Sequence, residues 1–214
     1  MIIPLKLLRS KLNLEIKGVL HIGAHECEEQ KYYLEEGVNN DNIYWVEAMQ
    51  EKVELMKKKD NTLNVYQSVI DIEDGKTIEF NVADNGQSSS IFDFGTHSKH
   101  HPYVKMIGKK KVITTRLDTF IKTNNIPINN INFMNIDIQG AELNALKSMG
   151  DYINNIDYIY TEVNTEYVYK GCALLSELDD FLSNKGFQRV ACQMWGNCGW
   201  GDAFYIRTNK YTTR

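Results

Sequence analysis

The sequence is short of proline, of long apolar runs and of excess positive charge. Proline occurs 3 times in 214 residues, which argues against extended linkers. No apolar run approaches the roughly 18 residues that a membrane-spanning helix needs. Lys6 and Arg9 interrupt the first ten residues, so no signal-peptide core is predicted. Lys and Arg number 24 against 28 Asp and Glu. Because a surface that follows phosphates needs a basic excess, nucleic acid is not expected as the main partner.

Paired cysteines are lacking as well. Cys27, Cys172, Cys192 and Cys198 show neither a CxxC spacing nor the Cys/His pattern of a zinc finger. None of them has a base at a readable spacing, so the sequence does not support a catalytic thiol. Scattered thiols in an acidic chain without a signal peptide predict reduced cysteines in a cytoplasmic protein.

What is present is the composition of a globular domain. Apolar residues make up 43% and charged residues 24%, with a net charge of -4. A chain of this length can bury a core without disulfide or metal crosslinks. We therefore expect residues 1–214 to form a single domain, with its core at about 18–207 and a substrate loop at about 83–103.

Short apolar runs alternate with amphipathic segments along the chain. The predicted strands cover 18–23, 42–47, 63–69, 76–82, 111–115, 131–138, 156–163, 187–191 and 203–207, and the predicted helices cover 27–36, 49–59, 117–123, 141–149 and 174–184. This alternation predicts an open α/β sheet with mostly parallel strands. Ligands of such sheets bind beyond the carboxyl ends of the strands.

A glycine turn and a strand-end acid point to a nucleoside-containing cofactor. Gly23 ends the first predicted strand and Glu47 ends the second, 24 positions later (47 − 23). Glycine permits a tight turn, and a carboxylate at this place can accept hydrogen bonds from both ribose hydroxyls. The alternative is an ordinary turn with a solvated glutamate, since neither GxGxxG nor a P-loop is present.

Carboxylates also end two later strands. Asp137 lies at the end of the strand at 131–138, while Glu162 and Asn164 alternate onto one side at the end of the strand at 156–163. Asp137 is a candidate general base, metal ligand or cofactor contact. Asp137, Glu162 and Asn164 together would suit Mg²⁺ or Mn²⁺, or the hydroxyls of a polyhydroxylated substrate.

The polar loop holds three of the five histidines, His97, His100 and His101. A zinc site, a solvated loop and a lid that binds a sugar all remain open for this segment. Trp195 and Trp200 offer a stacking platform beside it, or pack within the last hairpin.

The ordered motifs resemble those of the FkbM-type S-adenosylmethionine (SAM)-dependent methyltransferases. The segments that carry this resemblance are 19–25 (VLHIGAH), 44–48 (YWVEA), 81–90 (NVADNGQSSS), 115–119 (TRLDT), 135–142 (NIDIQGAE) and 160–164 (YTEVN). The resemblance runs from about residue 18 to residue 207. The chain departs from the family at His21, Cys27, Asn135 and Gln139.

The resemblance implies a Rossmann-like, seven-stranded class I methyltransferase sheet with helices on both faces. It also implies O-methylation of a sugar, nucleotide-sugar or glycan acceptor, with SAM as the cofactor and Mg²⁺ or Mn²⁺ as an open alternative for activating the hydroxyl. The expected cofactor contacts are His21, Gly23, Ala24, His25, Glu47, Ala48, Ser68, Val69 and Asp137. The expected substrate contacts are Gln87, Ser88, Ser89, His100, Glu162, Asn164 and Trp195.

Asp137 is the preferred base, and His97, His100 or His101 is the alternative. Two other functions stay open. A nicotinamide-dependent oxidoreductase is weakened by the missing GxGxxG. A non-catalytic glycan-binding domain of the same fold is weakened by the presence of both Glu47 and Asp137.

Overall fold

In a computed structural model, which describes residues 1–210, ten strands form two sheets. The strands are β1 (Val19–Ile22), β2 (Ile43–Glu47), β3 (Asn64–Gln67), β4 (Val69–Ile70), β5 (Thr77–Ala83), β6 (Met106–Thr115), β7 (Phe133–Ile136), β8 (Tyr158–Asn164), β9 (Phe187–Met194) and β10 (Trp200–Arg207). The α-helices are α1 (Leu5–Leu12), α2 (Gln30–Glu35), α3 (Gln50–Lys59), α4 (His97–His100), α5 (Leu117–Thr123), α6 (Glu142–Ser148) and α7 (Leu175–Asn184). Single 3-10 turns lie at Asn40–Asn42, Ile128–Asn130, Gly150–Asn155 and Thr208–Lys210.

The main sheet has the strand order β3-β2-β1-β7-β8-β10-β9. The first five of these strands are parallel, and β10 runs antiparallel between β8 and β9. The predicted seven-stranded α/β sheet is therefore confirmed. The order reverses at β1, where chain connections leave in opposite directions and open a crevice at the carboxyl ends.

Helices cover both faces of this sheet, as predicted. Neighbouring residues of β1 point to opposite sides, so Val19 packs with α1, α2 and α3, whereas Leu20 packs with α5, α6 and α7. Strands β1, β7 and β8 are buried along their whole length because both of their faces are covered. Within residues 1–210, no helix combines the length and apolar character needed to cross a bilayer.

The predicted strand at 63–69 is divided in the structure between the main sheet and the second sheet. Its first part, β3, ends at Gln67, and the chain then leaves the main sheet to pair Val69 and Ile70 with Thr114 and Thr115. This break places Ser68 at the mouth of the crevice, where its N–H donates to Glu47 O at 2.9 Å. Strand β6 also starts earlier than predicted, because its polar first half pairs with β5.

The predicted loop at 83–103 is anchored at several points. Its start, Ala83, belongs to β5, and its end carries the short helix α4. Isolated antiparallel bridges join Ser90 to Asn81 and Phe94 to Tyr169. The segment is thereby held against β5 and against the connection that follows β8.

Helix α1 was not predicted, although four of its eight residues are leucine. Leu5 and Leu8 are buried in the core. The segment before it is fixed by Tyr160, whose hydroxyl accepts from Ile3 N at 2.9 Å and donates to the carboxylate of Asp202.

Replacing Tyr160 by Phe is expected to lower the free energy of unfolding by about 1–3 kcal/mol, because the buried Ile3 N–H loses its acceptor. Urea unfolding followed by circular dichroism measures this change. Tyr32→Phe is the control, since Tyr32 is exposed on α2. Equal stability of the two variants would contradict the prediction.

Candidate active site

Two adjoining cavities open at the carboxyl ends of β1, β2, β7 and β8. The larger has a volume of about 540 Å³ and the smaller about 60 Å³. Residues that line both are Gly23, His25, Gln87, Asp137 and Gln139. The sequence-predicted site residues thus converge on the crevice where the strand order reverses, with the exceptions given below.

The turn after β1 brings the chain unusually close to the end of β7. Gly23 has a φ of +90°, and a Cβ added there would lie 1.8 Å from Asp137 O. The N–H groups of Gly23 and Ala24 both donate to Val46 O, at 2.8 and 3.0 Å. Only glycine can adopt this φ and also lie this close to Asp137 O. This contact explains why the motif has a glycine at position 23.

Glu47 lies at the bottom of the smaller cavity. Its carboxylate accepts from His25 N at 2.7 Å and from Met49 N at 2.8 Å. Burial raises the pKa of Glu47, while these two N–H donors act in the opposite direction. A carboxylate has about four lone-pair sites, so further donors can still bind to it.

The smaller cavity is otherwise mostly apolar. Ala48, Ser68, Val69 and Ser89 line it together with Phe80 and Ile91. A mostly apolar slot that is also lined by the carboxyl groups of Glu47 and Asp137 suits a flat, partly apolar group that carries hydroxyls.

Asp137 lies at the floor of the larger cavity, where its side chain is open to the cleft. The surrounding protein limits its solvation and raises its pKa to about 6, and the nearby Asp202 raises it further in the same direction. Three residues at the ends of different strands thus lie around the site: Ser68, Glu47 and Asp137.

Gln139 connects the side chains at the floor of the larger cavity by hydrogen bonds. Its Nε2 donates to Asp137 Oδ1 at 2.6 Å and to Glu162 Oε2 at 2.9 Å, and its Oε1 accepts from the hydroxyl of Tyr169 at 2.5 Å. Its backbone has a φ of +56°. The sequence pattern placed Gln139 next to the turn, but gave no sign that it bridges two carboxylates.

Among residues 1–210, the carboxylates of the floor have no cationic side-chain partner. Burial raises the pKa of Glu162 well above its ordinary value, and Asp137, Glu142 and Asp202 add to the effect. Glu142 lies behind the floor and has a pKa raised to about 7, mainly by burial, although it accepts from the N–H groups of Ile138 and Gly140. Sequence reasoning missed Asp202 and Tyr169, because nothing local marks either residue as part of this cleft.

His97 and His101 line the larger cavity, whereas His100 does not. His97 is buried, and this burial lowers its pKa to about 4. Its Nδ1 has no hydrogen-bond partner. The two ring nitrogens of His101 contact Tyr103 Oη at 3.1 Å and Trp200 Nε1 at 3.3 Å. The Nε2 of His100 contacts Glu166 Oε1 at 2.5 Å, which turns this ring away from the expected substrate site.

His21 lines the larger cavity and is buried in an aromatic cluster with Tyr33 and Trp45. Burial lowers its pKa to about 4. Its Nδ1 lies 3.1 Å from the hydroxyl of Tyr33, which accepts from Asn135 Nδ2 at 2.8 Å. His21 therefore supports the floor as a neutral side chain.

The expected substrate contacts divide between the cleft and the core. Gln87, Ser88, Glu162 and Trp195 line the larger cavity. Asn164 corrects the prediction, because it is fully buried beside the last hairpin, where it pairs in register with Trp200, and it lines neither cavity. Asn164 therefore cannot reach a substrate or share a metal ion with Asp137 in this arrangement.

No group of three or more His, Cys, Asp and Glu side chains within residues 1–210 is arranged to hold a metal ion. The amide of Gln139 lies between Asp137 and Glu162, at the place where a bridging cation would bind. Asp137, Glu162 and Asn164 therefore do not form the expected Mg²⁺ or Mn²⁺ site.

The strand order, the antiparallel β10 and the cleft at the switch point define a Rossmann-like protein of the class I methyltransferase type. The chain belongs to the family of the methyltransferase FkbM domain, whose family profile matches residues 21–189.

Several solved structures align with this chain at low identity. A protein of the NADB-Rossmann superfamily from Streptococcus agalactiae aligns with a TM-score of 0.51 and 12% identity, over 91% of this chain and 64% of that chain. This chain thus spans less than two thirds of that protein. Magnesium protoporphyrin IX methyltransferase (ChlM) from Synechocystis PCC 6803, solved with bound SAM, aligns at 0.48 with 8% identity, over 88% and 69% of the two chains. A SAM-dependent methyltransferase from Aquifex aeolicus aligns at 0.44 with 14% identity, over 96% and 89%. Among curated protein sequences, none is significantly similar to this chain.

Replacing Gln139 by Asn is expected to raise the pKa of Asp137 above its value of about 6. Asn accepts the left-handed backbone but is one methylene too short to reach both carboxylates. The lost N–H donor stabilised the ionised carboxylate, so the proton is held more tightly. A ¹³C NMR titration of the aspartate carboxyl carbons measures the shift.

Gln87→Asn is the matched control, because Gln87 is exposed in the same cleft and contacts neither carboxylate. An unchanged or lowered pKa of Asp137 in the Gln139→Asn variant would show that the amide does not stabilise its charge.

Proposed function

We propose that this protein is a SAM-dependent O-methyltransferase that acts on a hydroxyl of a sugar or glycan. The observation that carries this proposal is the placement of Glu47 and Asp137 at opposite sides of the Gly23 turn, in two cavities that share a wall. We further propose that residues 18–207 act as one methyltransferase domain, in which the segment 83–103 and the β9–β10 hairpin contact the acceptor.

The residues that line the two cavities fit SAM. Glu47 retains free lone pairs for ribose hydroxyls, and the apolar slot beside Ser68 and Val69 suits an adenine. The turn at Gly23 and Ala24 lines the larger cavity and passes next to the place proposed for the methionine part. The carboxyl groups of Asp137 and Glu162 suit a positively charged ligand, since burial and neighbouring carboxylates raise the pKa of each and a nearby cation would favour the charged form. These contacts also disfavour the nicotinamide alternative, whose turn motif is missing.

When bound, SAM supplies a methyl group on a positively charged sulfur atom. The protein must align an acceptor hydroxyl with it and remove the hydroxyl proton. Asp137 would take this proton on a carboxylate oxygen as the acceptor oxygen bonds to the methyl carbon, while the bond from that carbon to the sulfur atom would break and S-adenosylhomocysteine would leave. Its pKa of about 6 makes it ionised and basic at neutral pH.

The histidines are weaker candidates for the base. The pKa of His97 is lowered to about 4, which leaves it neutral but a poor proton acceptor. Both nitrogens of His101 already have partners. Gln139 takes the bridging position of a metal ion, so we propose a reaction in which Asp137, and not Mg²⁺ or Mn²⁺, activates the hydroxyl.

Replacing Glu47 by Gln is expected to weaken binding of S-adenosylhomocysteine (SAH) by about tenfold or more, since a charged acceptor is worth about 1.5–3 kcal/mol. The amide also presents N–H groups to the backbone donors of His25 and Met49. Isothermal titration calorimetry measures the affinity. Glu54→Gln, an exposed change on α3, is the control and should bind SAH as the wild type does. An unaltered affinity of the Glu47→Gln variant would refute the assigned pocket.

Replacing Asp137 by Asn is expected to reduce methyl transfer by about 100-fold or more while SAH binding persists. In the wild type, kcat/KM should rise with pH through about 6 and then level off, because the base must lose its proton. Mass spectrometry of the methylated acceptor and calorimetry with SAH measure the two effects. Asp93→Asn is the control, as Asp93 is exposed outside the cleft. Near-normal turnover of Asp137→Asn, or a loss of turnover in His97→Gln instead, would transfer the role to His97.

A further inference from the structure

We propose that the acceptor is a sugar free of phosphate and carboxylate groups, either neutral or amine-bearing, and that it stacks on a band of aromatic rings at one rim of the cleft. A nucleotide-activated sugar is thereby disfavoured as acceptor. This inference rests on the proposed methyl transfer to a sugar hydroxyl and narrows its substrate class. Two independent features of the cleft carry it: the charge of its lining and the arrangement of its rings.

The lining of the cleft is acidic. Five carboxylate side chains line the larger cavity: Glu28, Glu29, Asp137, Glu162 and Asp202. Among the residues that the structure describes, no Lys or Arg lines either cavity. The α-ammonium of Met1 also lies there, but it is 3.6 Å from Glu29 Oε1 and is already paired.

Phosphate groups need partners that this cleft does not offer. Proteins hold phosphate with Arg, with Lys or with free backbone N–H groups at helix starts. In the turn before α2, the N–H of Glu26 already donates to Glu28 Oε2 at 3.0 Å. Burial acts to raise the pKa of Glu28, but its hydrogen bond with His25 outweighs this effect and the pKa is lowered, so this carboxylate stays ionised. A diphosphate would face the ionised Glu28 in a cleft lined by four further carboxyl side chains. SAM carries one net positive charge, which is too little to compensate for them.

The aromatic band consists of Tyr103, His101, Trp200 and Trp195. The ring centroids of consecutive members are 5.9, 6.4 and 5.8 Å apart. His101 joins the segment 83–103 to the hairpin, since its nitrogens contact Tyr103 Oη and Trp200 Nε1. The two outer rings are open to solvent, with Tyr103 73% and Trp195 52% exposed, and both line the cleft.

A sugar matches both features at once. The C–H face of a pyranose is apolar and stacks on an aromatic ring, while its hydroxyl groups donate to carboxylates. The side chain of His97 is 5% exposed, lines the same cavity and keeps its Nδ1 without a partner. The exposed amide of Gln87 is a further polar group for hydroxyl recognition. An amine on the sugar would be attracted by the same carboxylates.

The test compares matched pairs of acceptors. Glucose, galactose, mannose, rhamnose and N-acetylglucosamine are each offered with SAM as the methyl glycoside and as the nucleoside diphosphate derivative, and glucosamine is added. Methyl transfer is followed by mass spectrometry, and binding to the SAH complex by the indole N–H signals of the tryptophans in NMR. We expect the phosphate-free member of a pair to bind and react at least about tenfold better.

Every outcome of this test decides the inference. Preference for a nucleoside diphosphate sugar overturns it, and so does the absence of binding by every sugar in the panel. Calorimetry with SAH separates this failure from that of the proposed function. A protein that binds SAH but prefers a diphosphate sugar contradicts only the inference drawn here, whereas a protein that does not bind SAH contradicts the methyltransferase proposal itself.

Variants test the two features separately. Trp195→Ala and Tyr103→Ala are each expected to raise KM for the accepted sugar about tenfold, as lost stacking predicts, while kcat and SAH affinity change little. Tyr167→Ala is the control, because Tyr167 is 57% exposed but lies outside both cavities. Unchanged KM in both band variants would remove the aromatic band from acceptor binding.

For the charge, Glu29→Lys should improve binding of uridine diphosphate glucose by about tenfold, with Glu29→Gln as the milder variant. Glu35→Lys makes the same charge change at the other end of α2, away from the cleft, and should not improve it. If Glu29→Lys and Glu35→Lys have equal effects, the charge of the lining does not select the acceptor.

Discussion

The candidate site depends on the close passage of the β1 turn over the end of β7. Asp137 N–H donates to Ile22 O at 2.9 Å, and the backbone of Gly23 lies against Asp137 O with no room for a side chain. Because the chain can reverse at this glycine, the N–H of His25 reaches Glu47. One contact between neighbouring strands therefore sets the distance between the two carboxylates on which the proposed chemistry rests.

The carboxyl groups in and behind the floor of the cleft lower the stability of the folded protein when they are ionised. The folded-state pKa of Asp137 is raised from 3.8 to about 6 and that of Glu142 from 4.5 to about 7. A folded state that holds protons more tightly than the unfolded chain loses stability as the pH rises through these windows. Clusters of this kind are typical of functional sites, where a ligand supplies the missing charge. Burial is the main cause of the raised pKa values of Asp137 and Glu162, and neighbouring carboxylates add to it, so a cationic ligand there would favour the charged forms.

Much of the fold was predictable from local patterns, and the reason is physical. Strands that are buried on both faces read as apolar runs, so β1, β2, β7 and β8 were found, and Glu47 and Asp137 stood out as the polar residues that end them. The role of Gln139 could not be found in this way, because its partners Glu162 and Tyr169 lie 23 and 30 positions away. Asp202 was missed for the same reason, since only the antiparallel register of β10 brings it next to Glu162.

Other errors came from elements whose local signal is weak. The segment 63–69 looks like one strand, yet the polar pair Gln67 and Ser68 marks the point where the chain changes sheets. Asn164 follows the same alternation as Glu162, but the hairpin that covers it removes it from the cleft. Periodicity predicts which face a side chain takes; it does not predict what later covers that face.

The two halves of the cleft come from different parts of the architecture. The strand ends of β1, β2 and β7 form the side proposed for the cofactor, whereas inserted segments after β5 and β8 form the side proposed for the acceptor. Tyr169 connects the two sides, because its hydroxyl contacts Ser88 O at 3.3 Å and Gln139 Oε1 at 2.5 Å. Gln139 in turn donates to Asp137, so three successive hydrogen bonds connect Ser88, in the segment proposed to contact the acceptor, with the proposed base.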